Sequence, residues 1–557
     1  MKIPVFKPFF AFGLALFLAG CGSTSPGLVS TPIENIDAIP LKVTDLTEVQ
    51  LKGWGGADLI NDTIPGMSVQ KAYDQIIKNN KGQSVIVAVI DSGVDITHED
   101  LKSVLWVNRG EIPNNRKDDD NNGYKDDVHG WNFLGDAVKE NMEYTRIIKR
   151  LKSKYEGKTT ATVAAADRAE FAEYQRAKAE YDKEFNETTQ NKTQYQQIKT
   201  QLVAAHAAVS SQLGKENYTK QELSAMTATT DQMRQYKGML MQIQENVNEN
   251  IPLALKELDD AIKYFDDRLA SHFNMQLDGR AVVGDDPYDI TDTKYGNNKV
   301  AGPTADKEDV KHGTHVAGII AANRNNNIGI KGVANNVQIM VLRAVPDGDE
   351  YDKDVALSIR YAVDNGAKII NTSFGKYFSP NSEWVTDAIK YAASKDVLIV
   401  NAAGNDGLNM DQTNVYPNDQ FTNQPTEISN NFLTVGALNY QYGSGMIAGF
   451  SNYGKTTVDV FAPGTKIWST TPNNTYEYLQ GTSMAAPAVA GVAAIIRSFY
   501  PKLTAAQVKQ IIMDSGLSTT AAVLVGEEKA NKRFTELSAS GKMVNLYNAL
   551  ILADKMK

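Results

Sequence analysis

The chain has 557 residues, one cysteine, 42% hydrophobic residues and a formal charge of −9. This composition is sufficient to bury a large core, and the negative charge argues against a nucleic-acid binder, which needs a basic face. One cysteine excludes an internal disulfide and a thiolate metal site. Other interactions, such as packing, ion pairs or bound cations, must therefore stabilise the fold.

Residues 1–21 have the pattern of an export signal. Lys2 and Lys7 precede the apolar run 9–18, which is too short to span a bilayer as a helix. The next segment, Leu18-Ala19-Gly20-Cys21, resembles a bacterial lipobox, which implies a lipid on Cys21 and attachment to the bacterial cell envelope. Gly22 is not the acidic residue that often retains lipoproteins at the inner membrane, so an outer-membrane location is expected.

Residues 22–83 are predicted to be a tether followed by a short leader, and the pattern then changes to buried strands. No other stretch of the chain reaches 18 apolar residues, so no transmembrane helix is predicted. The strand-like runs, rich in β-branched residues, are 85–90, 337–342, 367–371, 397–401, 432–435 and 458–461. Helical patterns lie between several of them. This alternation predicts an α/β domain with a doubly wound, mostly parallel sheet, formed by 84–136 and 277–557.

Residues 137–276 interrupt this α/β pattern. The block contains only three glycines and one proline, and its apolar residues are spaced by threes and fours. Such spacing is typical of long helices that pack along a narrow seam, as in coiled coils. We interpret the block as an all-α insertion. It is either an insertion tolerated at a surface loop or an element that gates substrate or docks a partner.

Three short segments carry the residues of nucleophilic catalysis. Asp91 follows the first strand, His312 lies in HGTHVAG, and Ser483 lies in GTSMAAP. A serine hydroxyl needs a base within hydrogen-bond reach, and that base needs a carboxylate to orient it. His312 and Ser483 each precede a helical run of small residues. Free amides at such helix starts can stabilise developing negative charge.

These segments resemble the subtilisin-like serine proteases, whose catalytic residues follow the order Asp, His, Ser. The resemblance covers 85–134 and 285–550, and it places the helical insertion between the catalytic Asp and His. It implies that Asp91 orients, His312 acts as base and then acid, and Ser483 attacks. The implied activity is endopeptidase cleavage of proteins or peptides. The alternative is a catalytically silent, protease-derived scaffold that binds an envelope partner through its insertion.

The resemblance extends to two further segments. Asn405, in AAGNDG, matches the asparagine whose side chain donates to the oxyanion in this family, with the Ser483 amide as the second donor. Ser373, Phe374 and Gly375 match the segment that pairs with the substrate backbone. Together with Ala402, Ala403 and Gly404, they are expected to line the pocket for the residue before the scissile bond.

Calcium is the expected cofactor, in a structural role and not in the chemistry. Asp100 and Asn326 match side-chain ligands of a calcium loop in the family. A second candidate is 118–127, in which Asp118, Asp120, Asn122 and Asp126 alternate around a glycine, as in loops that bind hard cations. The alternative for this second loop is a cluster of turns rich in aspartate and asparagine.

Overall fold

The computed structural model describes residues 30–34, 36–38, 45–246, 251–420, 426–526 and 528–557. Cys21 and the predicted lipobox lie outside the described residues. The leader contributes three short helices, of which the third continues into a wider turn over Tyr73–Ile77. These helices are α1 (Glu48–Gly53), α2 (Leu59–Asp62) and α3 (Val69–Ala72).

A seven-stranded parallel sheet forms the centre of the protein, with the spatial order β2-β3-β1-β4-β5-β6-β7. This confirms the predicted fold class. The strands are β1 (Val85–Asp91), β2 (Gly130–Asn132), β3 (Val337–Arg343), β4 (Ile369–Thr372), β5 (Leu398–Ala402), β6 (Phe432–Leu438) and β7 (Val460–Pro463). Nearly every strand residue is buried, because helices cover both faces.

Two antiparallel hairpins lie outside this sheet, and sequence periodicity did not predict them. They are β8 (Ile467–Thr471) with β9 (Thr475–Leu479), and β10 (Ala522–Val525) with β11 (Ala530–Arg533). The three-residue strand β2 was also missed. It carries no β-branched residue and is recognisable only from its pairing with β3.

As far as the structure describes it, the insertion is formed by five α-helices, all within the predicted block 137–276. They are α4 (Glu143–Tyr155), α5 (Arg168–Leu213), α6 (Lys220–Ala225), α7 (Asp231–Asn246) and α8 (Ile251–Ala270). The 46-residue helix α5 packs against α4, α7 and α8. The apolar spacing of the block does not show where one helix ends and the next begins, since it continues from residue 233 to 269 across the end of α7 and the start of α8. Pro252 lies in the first turn of α8, where its missing N–H costs nothing.

The remaining helices cover the sheet. They are α9 (Lys311–Ala321), α10 (Asp352–Asp364), α11 (Ser382–Ser394), α12 (Thr482–Phe499), α13 (Ala505–Ser515) and α14 (Leu546–Met556). Helices α10 and α11 pack on one face, and α9 and α12 on the other. Within the described part of the chain, α12 alone is long and apolar enough to cross a membrane, and 89% of it is buried inside the protein. That burial is typical of a core helix.

Candidate active site

The candidate active site lies at the carboxyl ends of the parallel strands. Asp91 is the last residue of β1, which lies between β3 and β4, where the strand order reverses. Ligand sites of open α/β sheets form at such a point. His312 is the second residue of α9, and Ser483 is the second residue of α12. Three elements that are distant in sequence therefore supply the three predicted catalytic side chains.

Asp91 and His312 are 221 positions apart in sequence and are joined by a hydrogen bond. The Nδ1–H of His312 donates to Asp91 Oδ1 at 2.8 Å, and the Ser92 amide donates to the same oxygen at 2.7 Å. The Asp91 side chain is 1% exposed, whereas that of His312 is 40% exposed. The carboxylate thus orients the imidazole from the buried side and leaves the other ring edge accessible.

The electrostatics of this pair favour a charged imidazole. Burial alone would lower the pKa of His312, but the charge and the hydrogen bond of Asp91 raise that pKa above its ordinary value. A histidine held in this way is a stronger base and is stabilised after it takes up a proton. The second carboxylate oxygen, Asp91 Oδ2, is buried without a hydrogen-bond partner among the described residues.

Arg343 fixes the backbone beside this pair, a role that no sequence pattern predicted. It is the last residue of β3, directly opposite Asp91 in the sheet, and is 1% exposed. Its Nε donates to the Ser92 carbonyl at 3.0 Å, and its guanidinium forms an ion pair with Asp309 at 3.2 Å. A buried arginine that is fully engaged in this way rigidifies the chain next to Asp91.

The Ser483 hydroxyl donates to the Ser373 carbonyl at 3.1 Å. No hydrogen bond joins Ser483 to His312 in the described structure. In return, the Ser373 hydroxyl donates to the Ser483 carbonyl at 2.9 Å, and Asn371 Nδ2 donates to Ser373 Oγ at 2.9 Å. The proposed nucleophile therefore rests against the proposed substrate-binding segment.

Asn405 lies beside the start of α12, with one end of its amide engaged. Its Oδ1 accepts from the Thr482 amide at 2.8 Å and from the Thr482 hydroxyl at 3.0 Å. Its Nδ2 and the Ser483 amide have no acceptor in the part of the chain described. A methyl group placed on Gly481 would lie 3.4 Å from Asn405 Nδ2 and 3.5 Å from the Ser483 nitrogen. Two free donors therefore lie next to one another at a helix N-terminus, as stabilisation of an oxyanion requires.

The two expected substrate-binding segments follow the neighbouring strands β4 and β5. Ser373, Ala402 and Ala403 are buried, Phe374 and Gly404 are half-buried, and Gly375 is exposed. The backbone groups of Phe374 and Gly375 make no hydrogen bond within the described residues, so an extended peptide can pair with them.

Asn452, which sequence reasoning missed, anchors the second segment. Its Nδ2 donates to the Ala403 carbonyl at 2.9 Å, and its backbone amide donates to the Gly404 carbonyl at 3.0 Å. The Gly404 amide in turn donates to the Thr482 hydroxyl at 3.0 Å. Segment 402–404 is thereby fixed to the loop around Asn452 on one side and to the start of α12 on the other.

His315, the second histidine of the HGTHVAG motif, has a structural setting. Its ring is completely buried, and its Nε2–H donates to the Ile467 carbonyl at 3.0 Å. Burial lowers the pKa of His315 to about 3. The ring therefore remains neutral at any pH at which the fold is expected to persist, and it holds β8 against α9.

The first candidate calcium pair lies close together. Asn326 Nδ2 donates to Asp100 Oδ1 at 2.6 Å, and the Ile330 amide donates to Asp100 Oδ2 at 3.1 Å. Asp100 is completely buried. Rotation of the Asn326 amide would turn its oxygen toward the carboxylate, giving the oxygen donors that a hard cation prefers. These two residues fit a calcium site.

The side chains of the second candidate loop do not converge in the way that their alternating positions in the sequence predict. Asp118 accepts from two backbone amides of its own turn, and the buried Asp126 accepts from the amides of Asn115 and Arg116. The carboxylates that do converge are those of Glu111, Asp120 and Asp127, whose oxygens lie within 4.8 Å of one another. Glu111 was not predicted because it lies outside the spaced run, and Asp127 was not because it lies in the loop 118–127 but off the alternating positions.

Asn122 joins this cluster. Its Nδ2 donates to Asp127 Oδ2 at 2.9 Å and to Asp120 Oδ2 at 3.3 Å. Burial raises the pKa of Asp127 above its ordinary value, although the hydrogen bonds from Tyr361, Asn122 and Asn108 act to lower that pKa. A bound divalent cation would relieve this cost of gathering three carboxylates, so the donor set is compatible with calcium.

Comparison with known proteins was consistent with this geometry. The family model described as the Subtilase family matches residues 82–538, which is most of the chain. The thermophilic serine proteinase of Bacillus sp. (strain AK1) is 41% identical over 224 residues, which cover 40% of this chain and 48% of that protein. Subtilisin-like protease 1 of Plasmodium falciparum is 32% identical over 296 residues, 50% of this chain and 42% of that protein.

Subtilisin DY of Bacillus licheniformis is 36% identical over 223 residues, which cover 39% of this chain and 76% of that protein. The chain thus spans less than half the length of the first two relatives and about three quarters of the third.

Proposed function

Because the chain belongs to the subtilase family, we propose that it is a serine endopeptidase that hydrolyses peptide bonds in proteins. Asp91, His312 and Ser483 form its catalytic triad. The observation that carries this proposal is the 2.8 Å hydrogen bond from His312 Nδ1 to Asp91 Oδ1, formed between residues 221 positions apart. The relatives named as a serine proteinase and a subtilisin-like protease support it.

In the proposed reaction, Ser483 Oγ attacks the carbonyl carbon of the scissile bond while His312 Nε2 takes the hydroxyl proton. Asp91 accepts from Nδ1–H throughout and stabilises the imidazolium. The C–N bond then breaks, and His312 gives its proton to the leaving amine. A water molecule, deprotonated by His312, hydrolyses the acyl-enzyme and restores the Ser483 hydroxyl.

This sequence requires the Ser483 hydroxyl to exchange its acceptor. In the free protein that hydroxyl donates to the Ser373 carbonyl. A substrate that pairs with segment 373–375 would compete with the Ser483 hydroxyl for the Ser373 carbonyl. The hydroxyl would then turn to His312 Nε2. Catalytic hydrogen bonds are often formed only in the complex with substrate, so the free geometry is compatible with the role.

Asn405 Nδ2 and the Ser483 amide are proposed to donate to the tetrahedral oxyanion. Neither donor has an acceptor among the described residues, and Thr482 holds the Asn405 oxygen so that the nitrogen end remains available. Such preorganised donors stabilise charge without reorganisation during the reaction. Segments 373–375 and 402–404 are proposed to line the pocket for the residue before the scissile bond.

Calcium is proposed as a structural cofactor. Asp100 with Asn326 would supply one set of oxygen ligands, and Glu111, Asp120 and Asp127, joined by Asn122, would supply another. The bound ion would tie loops together in a chain with one cysteine. If calcium binds, excess EDTA lowers the melting temperature and added calcium restores it. An unchanged melting temperature in EDTA would contradict the proposal.

The lipobox-like segment 18–21 supports a lipid anchor on Cys21 and a place in the bacterial cell envelope, at the outer membrane. One or more acyl chains would attach the enzyme to lipid without a membrane-spanning helix. Metabolic labelling with a fatty-acid analogue tests this: label is expected on the wild-type chain and absent from a Cys21→Ala variant.

Casein digestion tests the proposed activity. The purified wild-type chain is expected to cleave casein, and Ser483→Ala is expected to abolish cleavage while the protein remains folded. A Ser394→Ala variant, which alters a serine on the outer helix α11, serves as the control. A wild-type chain without any cleavage would instead favour the alternative of a non-catalytic scaffold.

A further inference from the structure

The chain that leaves the substrate-binding segment 373–375 packs against the helical insertion. Lys376 pairs with Tyr416 through both of its backbone groups, at 2.9 Å each, and its side chain is 2% exposed. The ammonium group donates to Glu143 Oε2 at 2.9 Å and lies 3.0 Å from Asp352 Oδ1. Glu143 is the first residue of α4, so this buried ion pair joins the segment directly to the insertion.

Glu143 is held in its ionised form. Burial would raise its pKa, but Arg146 and Lys376 together lower that pKa to about 2. Arg146 is itself 4% exposed and also donates to the carbonyls of Asp349 and Glu350. Removing one member of such a buried network leaves another charge unpaired, so its geometry is strongly fixed.

The next residues continue the connection. Phe378 is 2% exposed and belongs to the aromatic core of the insertion, with its ring centroid 6.1 Å from that of Tyr144. The Arg176 guanidinium, on α5, lies 3.6 Å from the centroid of the Phe378 ring, and its NH1 group donates to the Tyr377 carbonyl at 3.1 Å. Helix α5 therefore holds the backbone two residues after Gly375.

Tyr377 extends the connection to the other wall of the site. Its hydroxyl donates to Asp406, which directly follows Asn405. The same three residues, 376–378, thus contact the first insertion helix, the long insertion helix and the loop that carries the proposed oxyanion donor. A surface insertion with no role in the site would not need contacts at each of these points.

We infer that the base of the helical insertion sets the position of segment 373–375 against an extended peptide, with Glu143 and Arg176 as positioning residues. The inference rests on the proposed endopeptidase function and names a role for the insertion within it. Neither residue touches the reacting atoms. Their effect is therefore expected on binding of substrates that extend along the segment, and not on the chemical step.

Arg176 offers the cleaner test because its side chain is half exposed, so its removal is not expected to unfold the protein. Two substrates are compared. One is an acetylated tetrapeptide p-nitroanilide, and the other is an acetylated amino-acid methyl ester with the same residue before the scissile bond. That residue is chosen from the bonds cleaved in casein. Only the tetrapeptide extends along the whole segment, whereas the ester reaches no further than the pocket for the residue before the scissile bond.

Arg176→Ala is expected to raise KM for the tetrapeptide by about three- to tenfold, with kcat unchanged, since it removes the hydrogen bond to Tyr377 and the cation–π contact with Phe378. Its exposed ion pair with Glu173, on the same helix, is lost as well. Hydrolysis of the ester should remain within about twofold of the wild type. Arg176→Lys, which keeps the cation over Phe378, should recover part of the KM. Lys178→Ala removes an exposed ion pair with Asp182 on the same helix and should change nothing.

An unchanged tetrapeptide KM in Arg176→Ala would overturn the inference, and so would equal losses on the tetrapeptide and the ester, which would indicate general damage. A wild-type chain that hydrolyses neither substrate would overturn the proposed function and this inference with it. The two failures are distinguishable because failure of the proposed function is already seen in the unsubstituted protein, whereas failure of the inference is seen only when Arg176→Ala is compared with it.

Discussion

Ser483 and Ser373 are joined by two hydrogen bonds, each hydroxyl donating to the carbonyl of the other residue, at 3.1 Å and 2.9 Å. The second of these bonds has a cause in the sequence of α12. In a regular helix the Ser483 carbonyl would accept from the amide of residue 487, but Pro487 has no N–H. Ser373 supplies the missing donor, and the start of the nucleophile helix is fixed to the substrate-binding segment.

Replacement of Ser373 tests this relationship. Ser373→Ala leaves the Ser483 carbonyl without a donor, which is expected to cost about 1–3 kcal/mol of stability. Urea denaturation measures this loss. In a Pro487→Ala background residue 487 regains an N–H, so the cost of Ser373→Ala should become clearly smaller. Equal costs in both backgrounds would show that Ser373 does not substitute for the missing amide.

Asn405→Asp tests the oxyanion donor with little change of shape. The carboxylate can still accept from the Thr482 amide, but it offers no N–H at the position of Asn405 Nδ2. The expected result is a fall in kcat of about a hundred- to a thousandfold with KM little changed. Steady-state kinetics on a peptide substrate measure both constants. A kcat within threefold of the wild type would exclude Asn405 from this role.

The pH dependence of kcat/KM tests the pairing of Asp91 with His312. The neutral imidazole is the base, so the rate should rise with pH as His312 loses its proton. Because Asp91 raises the pKa of His312, the midpoint of this rise is expected above the ordinary histidine value of about 6.5. Asp91→Asn removes the charge, so the midpoint should move to lower pH while the rate falls by about ten-thousandfold.

The free energy of unfolding should also depend on the protonation of His312, but it should fall as pH rises, whereas kcat/KM rises. A pKa that is raised on folding contributes stability that is fully present below the unfolded value and is lost as pH rises through the folded value. If the pH profile of kcat/KM kept the same midpoint in Asp91→Asn as in the wild type, the assignment of this pair would be contradicted.

The outer part of the insertion has a core of its own, so it should be removable. Its buried residues, including Leu202, Val209 and Leu240, form a cluster separate from the one that holds Phe378. Replacing residues 196–258 by a short glycine-serine linker should leave tetrapeptide hydrolysis and the melting temperature of the peptidase core nearly unchanged. A large loss of tetrapeptide hydrolysis would show that the outer part also acts on the site.

The sequence predicted the sheet well because its strands are buried on both faces and therefore appear as continuous β-branched runs. The predicted run 85–90 and the observed β1 (Val85–Asp91) differ by a single residue. The motifs likewise indicated which residues should meet at the carboxyl ends of these strands. Asp91 and His312 are in hydrogen-bond contact, and Ser483 and Asn405 lie on the adjoining helix start and loop.

Contacts between distant segments could not be predicted in this way. Arg343 and Asn452 resemble ordinary strand and loop residues in sequence, and only the folded chain brings them against Ser92 and Ala403. Helical periodicity identified the insertion, but the pairing of Glu143 with Lys376 depends on how the insertion sits on the sheet. Single-sequence patterns report local burial and do not report which distant surfaces meet.

Mass-spectrometric mapping of a fluorophosphonate adduct tests the central claim most directly. Such reagents bond covalently to an activated serine hydroxyl. The account predicts a single adduct on the peptide that contains Ser483, together with loss of casein cleavage in proportion to labelling. Labelling carried out at a pH that protonates His312 should be slower. An enzyme that cleaves casein while Ser483 remains unlabelled, or whose adduct lies on another serine, would contradict the account.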